Sequence, residues 1–155
     1  MAGTVSLFTK LATTKVATIG KPKAVSAFSR KFNKNIGEEL THRLTGQRYF
    51  RETGFDNGRV QIGVCPRELT KDGYRGITNE EFEALKKMQI RIKDVAYGNK
   101  TIIDDYTRTE YWGNLRKDGT TYAMMQDNSI FGRRQCPEEI WGKLKALVDV
   151  DKCTH

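Results

Sequence analysis

The stretch Thr78-Asn79-Glu80-Glu81-Phe82-Glu83-Ala84-Leu85-Lys86-Lys87-Met88-Gln89-Ile90-Arg91-Ile92-Lys93-Asp94-Val95 carries the strongest local signal in the chain. Thr78 and Glu81 stand three apart, the spacing of a capping box, in which the hydroxyl serves a free amide and the carboxylate returns the contact. Phe82, Leu85, Met88, Ile92 and Val95 recur at three- and four-residue steps and make one apolar stripe. Lys86, Lys87, Arg91, Lys93 and Asp94 fall mostly off it. Gly98-Asn99 is a stop signal. The spacing predicts an amphipathic helix from Thr78 to Val95.

A second helix is predicted after Pro137, because proline is accepted in a first turn and Glu138 and Glu139 suit the positive end of the helix dipole. Its stripe is Ile140, Leu144, Leu147 and Val148. Two hairpins complete the reading. In the first, Gln47 to Glu52 is one arm, Asp56-Asn57-Gly58 a turn, and Arg59 to Val64 the other arm, with Val60, Ile62 and Val64 alternating. In the second, Lys117-Asp118-Gly119 joins Tyr111–Arg116 to Thr120–Met125. Ile36 to Arg43 reads as a short helical turn, and residues 101–109 fit helix or strand equally. The fold class that follows is α+β: a small single domain, residues 36–155, of two β-hairpins and two amphipathic helices. An extended basic tail, residues 1–35, precedes it.

Charge sets the tail apart. The chain of 155 residues has a net charge of +8. Lys10, Lys15, Lys21, Lys23, Arg30, Lys31 and Lys34 lie in the first 37 residues, which hold no acid. The remaining 20 bases and 19 acids leave the body nearly neutral. Hydroxyl residues are frequent here, Val5, Phe8 and Leu11 make a weak helical stripe, and Gly20-Lys21-Pro22 breaks it. The composition suits a binding arm that seeks an acidic partner, or an organelle transit segment. An interfacial membrane helix is the weaker reading, because the apolar positions are few. No apolar run is long enough for a membrane-spanning helix. Three cysteines, Cys65, Cys136 and Cys153, imply reduced thiols rather than a disulfide framework. The expected setting is intracellular and reducing, with a mitochondrion or plastid among the candidates.

Chemistry-bearing residues are sparse. The histidines are His42 and His155, and no spacing pairs either with a cysteine, so His42 reads as structural. Cys153 and His155, with Cys65 and Cys136, lack the paired spacing of zinc knuckles. Cys65-Pro66-Arg67-Glu68 and Cys136-Pro137-Glu138-Glu139 each read as a helix start with the cysteine at its cap, in preference to a reactive or haem-binding thiol. Asp104-Asp105 reads as a solvated acidic pair. Neither a dinucleotide fingerprint nor a phosphate-binding loop is present, and no cofactor or metal is expected. Arg48-Tyr49-Phe50-Arg51 interleaves bases with aromatics, as a base-stacking surface does and as an ordinary strand pair also does. Tyr106, Arg108, Tyr111, Trp112 and Arg116 form a looser set of the same kind.

The expected function is non-catalytic: a structural, accessory or linker subunit of a large macromolecular assembly. Its tail would thread along RNA or acidic protein subunits. The partner-binding residues would be Lys10, Lys15, Lys21, Lys23, Arg30, Lys31, Lys34, Arg48 and Arg51. The alternatives are a free nucleic-acid-binding protein and an enzyme with an unrecognised site.

Overall fold

The computed structural model describes residues 20–34, 37–56, 59–130 and 132–155, with backbone alone for 53–56 and 59–64. Lys10, Lys15, the Val5–Leu11 stripe, the turn residues Asn57 and Gly58, and the facing of Val60, Ile62 and Val64 lie outside the described residues.

The expectation of an α+β domain is overturned. The described chain is mostly β, with eleven strands in two antiparallel sheets and two short helices. The first sheet has the order β1-β7-β8-β9-β10-β11: Ala24–Ser26, Gln89–Asp94, Lys100–Asp104, Thr109–Leu115, Thr121–Gln126 and Arg133–Gln135. The second has the order β2-β3-β4-β5-β6: Phe28–Asn33, Gly37–His42, Arg48–Asp56, Arg59–Thr70 and Gly73–Gly76. Helix α1 is Asn79–Lys87 and α2 is Glu138–Leu147.

The predicted helix start is real and its end is not. Thr78 caps α1, and the reciprocal contacts of the capping box with Glu81 are present. The helix stops at Met88 because the next six residues, Gln-Ile-Arg-Ile-Lys-Asp, bury Ile90 on the core and pair with both β1 and β8. A β-branched pair at period two is worth more in a sheet with two neighbours than as the last turns of a helix. The described part of that stretch, Gly37–His42, is strand β3 instead of a helical turn, since Leu40 and His42 are buried while Glu39 and Thr41 between them are only half-buried. The β9–β10 hairpin has the expected turn, with Gly119 at φ +90°. It is one link of a longer meander in which each strand pairs with the next.

The two sheets meet at one residue. β1 and β2 are separated only by Ala27, and the chain changes sheet there. The Ala27 N–H donates to the Met88 carbonyl at 2.9 Å, and its carbonyl accepts the Arg43 N–H at 3.0 Å. One residue therefore hydrogen-bonds to both halves, the device by which strands turn corners in sheet-on-sheet packings. Residues 24–33, read from sequence as part of the tail, thus stand in both sheets.

One apolar core fills the space between. Phe28, Leu40 and Tyr49 come from the second sheet, and Ile90, Ile102, Tyr111 and Met125 from the first. Phe82 and Leu85 of α1 and Leu144 of α2 join them. At the far end, the Gly113 N–H donates to Cys153 O at 2.7 Å and the His155 N–H to Gly113 O at 2.8 Å, so the C-terminal residues extend the first sheet beside β9.

Phe28 is 1% exposed and its ring meets those of His42, Tyr49 and Tyr106. Phe28→Ala is expected to cost about 3–5 kcal/mol of stability. Denaturant unfolding followed by tryptophan fluorescence and by far-ultraviolet dichroism should shift together, because the lost ring packs on the second sheet and on the β8–β9 turn of the first.

Candidate functional site

The most enclosed polar group pair spans the sheets. The His42 Nε2 lies 2.8 Å from Asp104 Oδ2, with both side chains wholly buried. Asp104 Oδ2 also accepts the Thr107 hydroxyl at 2.9 Å, and Oδ1 accepts the Tyr106 N–H at 3.1 Å. The Thr45 N–H donates to His42 Nδ1 at 3.1 Å, so Nδ1 accepts and Nε2 carries the hydrogen that goes to Asp104. Tyr106 lies over the imidazole at 4.6 Å and bonds the Tyr49 hydroxyl at 2.6 Å. Burial, with the Tyr106 contact behind it, pushes the Tyr49 hydroxyl well above its usual range. Asp104 is thus a buried anchor, unlike the solvated pair read from sequence. Its neighbour Asp105 is partly exposed and accepts from Arg91 at 3.3 Å.

A second cluster sits where α1 crosses β3 and β4. Arg51 bonds Glu38 and Glu83, each at 2.7 Å, and Lys86 bonds Glu38 at 2.6 Å. The Arg51 guanidinium lies 4.5 Å from the centre of the Phe82 ring. Burial pushes the Glu38 carboxyl up, but the Lys86 and Arg51 hydrogen bonds outweigh it and hold the group below its usual 4.5. Arg51 is buried and its charge is matched inside the molecule.

Strand alternation divides the basic–aromatic run. Tyr49 and Arg51 face inward, while Arg48 and Phe50 face out. Arg48 forks onto Glu39 Oε1 at 2.9 and 2.6 Å and lies 4.9 Å over the Phe50 ring. Phe50 meets Tyr74 edge-on at 6.0 Å, and Arg67, ion-paired to Glu52, lies 5.3 Å over Tyr74. The sequence reading missed Tyr74, whose place beside Phe50 depends on the β4–β5–β6 register. The looser set does not converge. Tyr111 lies in the core, Trp112 is sealed under His155 at 5.0 Å, and Arg116 packs on Tyr122 at 4.7 Å.

The described tail cations are spread along the entry to the fold. Lys21 donates to the Lys145 carbonyl. Lys23 is exposed, and its carbonyl accepts the Ile92 N–H at 2.8 Å. Arg30, Lys31 and Lys34 are exposed on or just after β2, and Arg30 comes only to 4.0 Å of Glu38. Phe32, between them, is 54% exposed. These residues lie on a sheet edge, since β2 has β3 as its one neighbour among the described residues.

The thiols differ by position. Burial pushes Cys136 and Cys153 each up to about 11, which leaves them protonated and poor nucleophiles at neutral pH. Cys65 is exposed, and Cys65-Pro66 lies within strand β5 rather than starting a helix. A groove of about 670 Å³ runs between β9–β10 and α2, lined by Arg116, Lys145, Glu138, Asp151, Tyr122 and Trp141. Its two cations and two acids oppose one another and select no ligand charge. Among the described residues, no cluster of three or more His, Cys, Asp or Glu is placed to hold a metal, and no helix is long and apolar enough to cross a membrane.

Asp104→Ala should cost about 3–5 kcal/mol, because it strands the His42 N–H and the Thr107 hydroxyl in the core; thermal unfolding measures it. Glu38 has a lowered folded pKa, so its contribution is full above the unfolded value and is lost as pH falls through the folded one. The stability gap between the parent chain and Glu38→Gln is therefore expected to narrow as pH falls from neutral to below the usual carboxylate value of 4.5. Denaturant titrations at several pH values check it, and a gap independent of pH would contradict the assignment.

Compared with protein-family models, curated proteins and solved structures, the chain matches none.

Proposed function

We propose that the chain is a non-catalytic accessory or linker subunit of a large macromolecular assembly, using its basic N-terminal region to hold an acidic partner. The observation that supports this most is how the cations are rooted. Residues 20–34 contain five bases and no acid, and they run directly into a sheet edge fixed by Phe28 and Ala27 in the core. A cationic segment on a rigid base loses less freedom on binding than one on a free tail. The body's 20 bases and 19 acids nearly balance, and several of its acids pair internally: Glu38 with Arg51 and Lys86, Glu39 with Arg48, Glu68 with Arg75. The surplus of positive charge therefore stays at the N-terminal region.

The reading as a free nucleic-acid-binding protein has one favourable observation, the exposed Phe50–Tyr74 pair flanked by Arg48 and Arg67. Both arginines are already ion-paired, so a phosphate would have to displace Glu39 and Glu52. That cost favours the assembly reading.

Gentle extraction from the native source should place the chain in a particle far larger than its own 17.7 kDa. Replacing Lys23, Arg30, Lys31 and Lys34, all exposed, with glutamine should release it from that particle. Raised salt should do the same. Collapse of the particle with ribonuclease would make the partner RNA, and resistance would make it protein. A lone chain with its N-terminal region intact would sink the proposal.

A further inference from the structure

The edge strand β2 combines two features that single out one kind of ligand. The first is its backbone. Ala27 accepts the Arg43 N–H, which makes that residue pair hydrogen-bonded. Antiparallel pairing alternates, and the register Phe28↔His42, Arg30↔Leu40, Phe32↔Glu38 then falls on the non-bonded pairs. The N–H and C=O groups of Arg30 and Phe32 therefore point away from β3, toward the open edge. The Phe28 carbonyl, on the same side, is already taken by the Ser26 hydroxyl at 3.0 Å. Four backbone groups on one strand, two donors and two acceptors at strand spacing, are the template for adding another strand.

The second feature is charge. Lys31 stands opposite Glu39 in the register, yet Glu39 is held by both arms of the Arg48 fork. Arg30 reaches Glu38 only at 4.0 Å, and Glu38 is already bonded to Arg51 and Lys86. Among the described residues, Lys31 and Lys34 make no ion pair. The edge thus presents Arg30, Lys31 and Lys34 with their charge uncompensated and the exposed ring of Phe32 between them.

We infer that β2 is a docking edge for an extended, carboxylate-rich segment of a partner protein, which adds to the second sheet as a strand beside Arg30–Phe32. Three arguments fix the occupant. Backbone donors and acceptors alternating at strand pitch match a peptide, whereas a phosphate chain offers acceptors alone. Carboxylates on the added strand would neighbour Arg30 on one face and Lys31 on the other, where opposite charges across strands are stabilising. A second copy of the chain pairing edge to edge would set the same cations against each other, which is destabilising. The inference rests on the assembly reading for its partner but names a contact that can be tested without it.

The test uses the full chain and a blocked synthetic peptide of about eight residues in which pairs of glutamates alternate with pairs of valine and threonine, so that both faces carry carboxylates. Titration calorimetry should show binding that weakens with salt, and amide exchange should slow at Arg30 and Phe32. The same peptide with lysine for glutamate should not bind. Phe32→Pro removes the outward N–H without touching the ladder to β3, and should weaken binding at least about tenfold. Should that variant misfold, judged by exchange at Ile90 and Ile102, the charge reversal Arg30→Glu with Lys31→Glu replaces it and should switch the preference to the lysine peptide. Equal binding by parent and variant, equal binding of both peptides, or protection of these amides by a uridine oligonucleotide and not by the acidic peptide would each overturn the inference. A chain that runs alone from its source yet binds the peptide at Arg30 and Phe32 supports the edge and removes the assembly. A chain found in a particle whose edge ignores the peptide does the reverse.

Discussion

Two sheets that share one bent strand need a second attachment, and the His42–Asp104 pair supplies it. His42 ends β3 in one sheet, and Asp104 ends β8 in the other. Their contact at 2.8 Å, with both side chains fully buried, ties the end of β3 to the end of β8. Burying a histidine and a carboxylate is costly unless every polar atom finds a partner. Here Thr45, Thr107 and the Tyr106 amide complete the set. Packing alone would tolerate several sliding arrangements of β3 over β8; a two-atom polar contact with fixed second partners tolerates one. Tyr106 depends on it too, since the turn that Asp104 organises puts that ring against Phe28 and Tyr49.

The same economy of partners shapes the surface. Acids in the second sheet are consumed by nearby arginines and lysines, most completely around Glu38. Residues 20 to 34 differ from the body in holding five bases and no acid of their own. Position in the sheet, more than net charge, separates the bases that hold the fold from those that face outward. Arg48 and Arg51, three apart in sequence, differ in this way because successive strand residues face opposite sides.

Local chemistry was legible in the sequence where it acts through adjacent residues. The Thr78–Glu81 box, the Pro137 helix start and the Lys117-Asp118-Gly119 turn all act within a few residues, and all are present. Long-range pairing was not legible. Met88, Ile92 and Val95 satisfy a helical stripe, but Ile90 and Ile92 satisfy a strand equally well, and only pairing with β1 and β8 decides between them. Ile90, left off the helical stripe, is a fully buried residue and was the available clue. The cluster Val25, Ala27 and Phe28 was a similar clue that the basic region does not stop at a domain boundary. At the site, the sequence offers no partner for His42, and it gives Asp104 and Asp105 the same appearance. Their separation into a buried anchor and a surface partner of Arg91 follows from opposite facing.

The corner at Ala27 also sets how the molecule responds to tension. A pull on the N-terminal region reaches β1 first, which is joined to β7 by three residue pairs. Beyond it the load meets Ala27 and Phe28, which are sealed in the core. Peeling residues 20–26 from β7 would lengthen the chain by roughly 20 Å before any core side chain is strained, taking about 3.3 Å per extended residue. The short first strand therefore works as a compliant fuse, giving a tethered molecule slack at its attachment while the sandwich behind it stays folded.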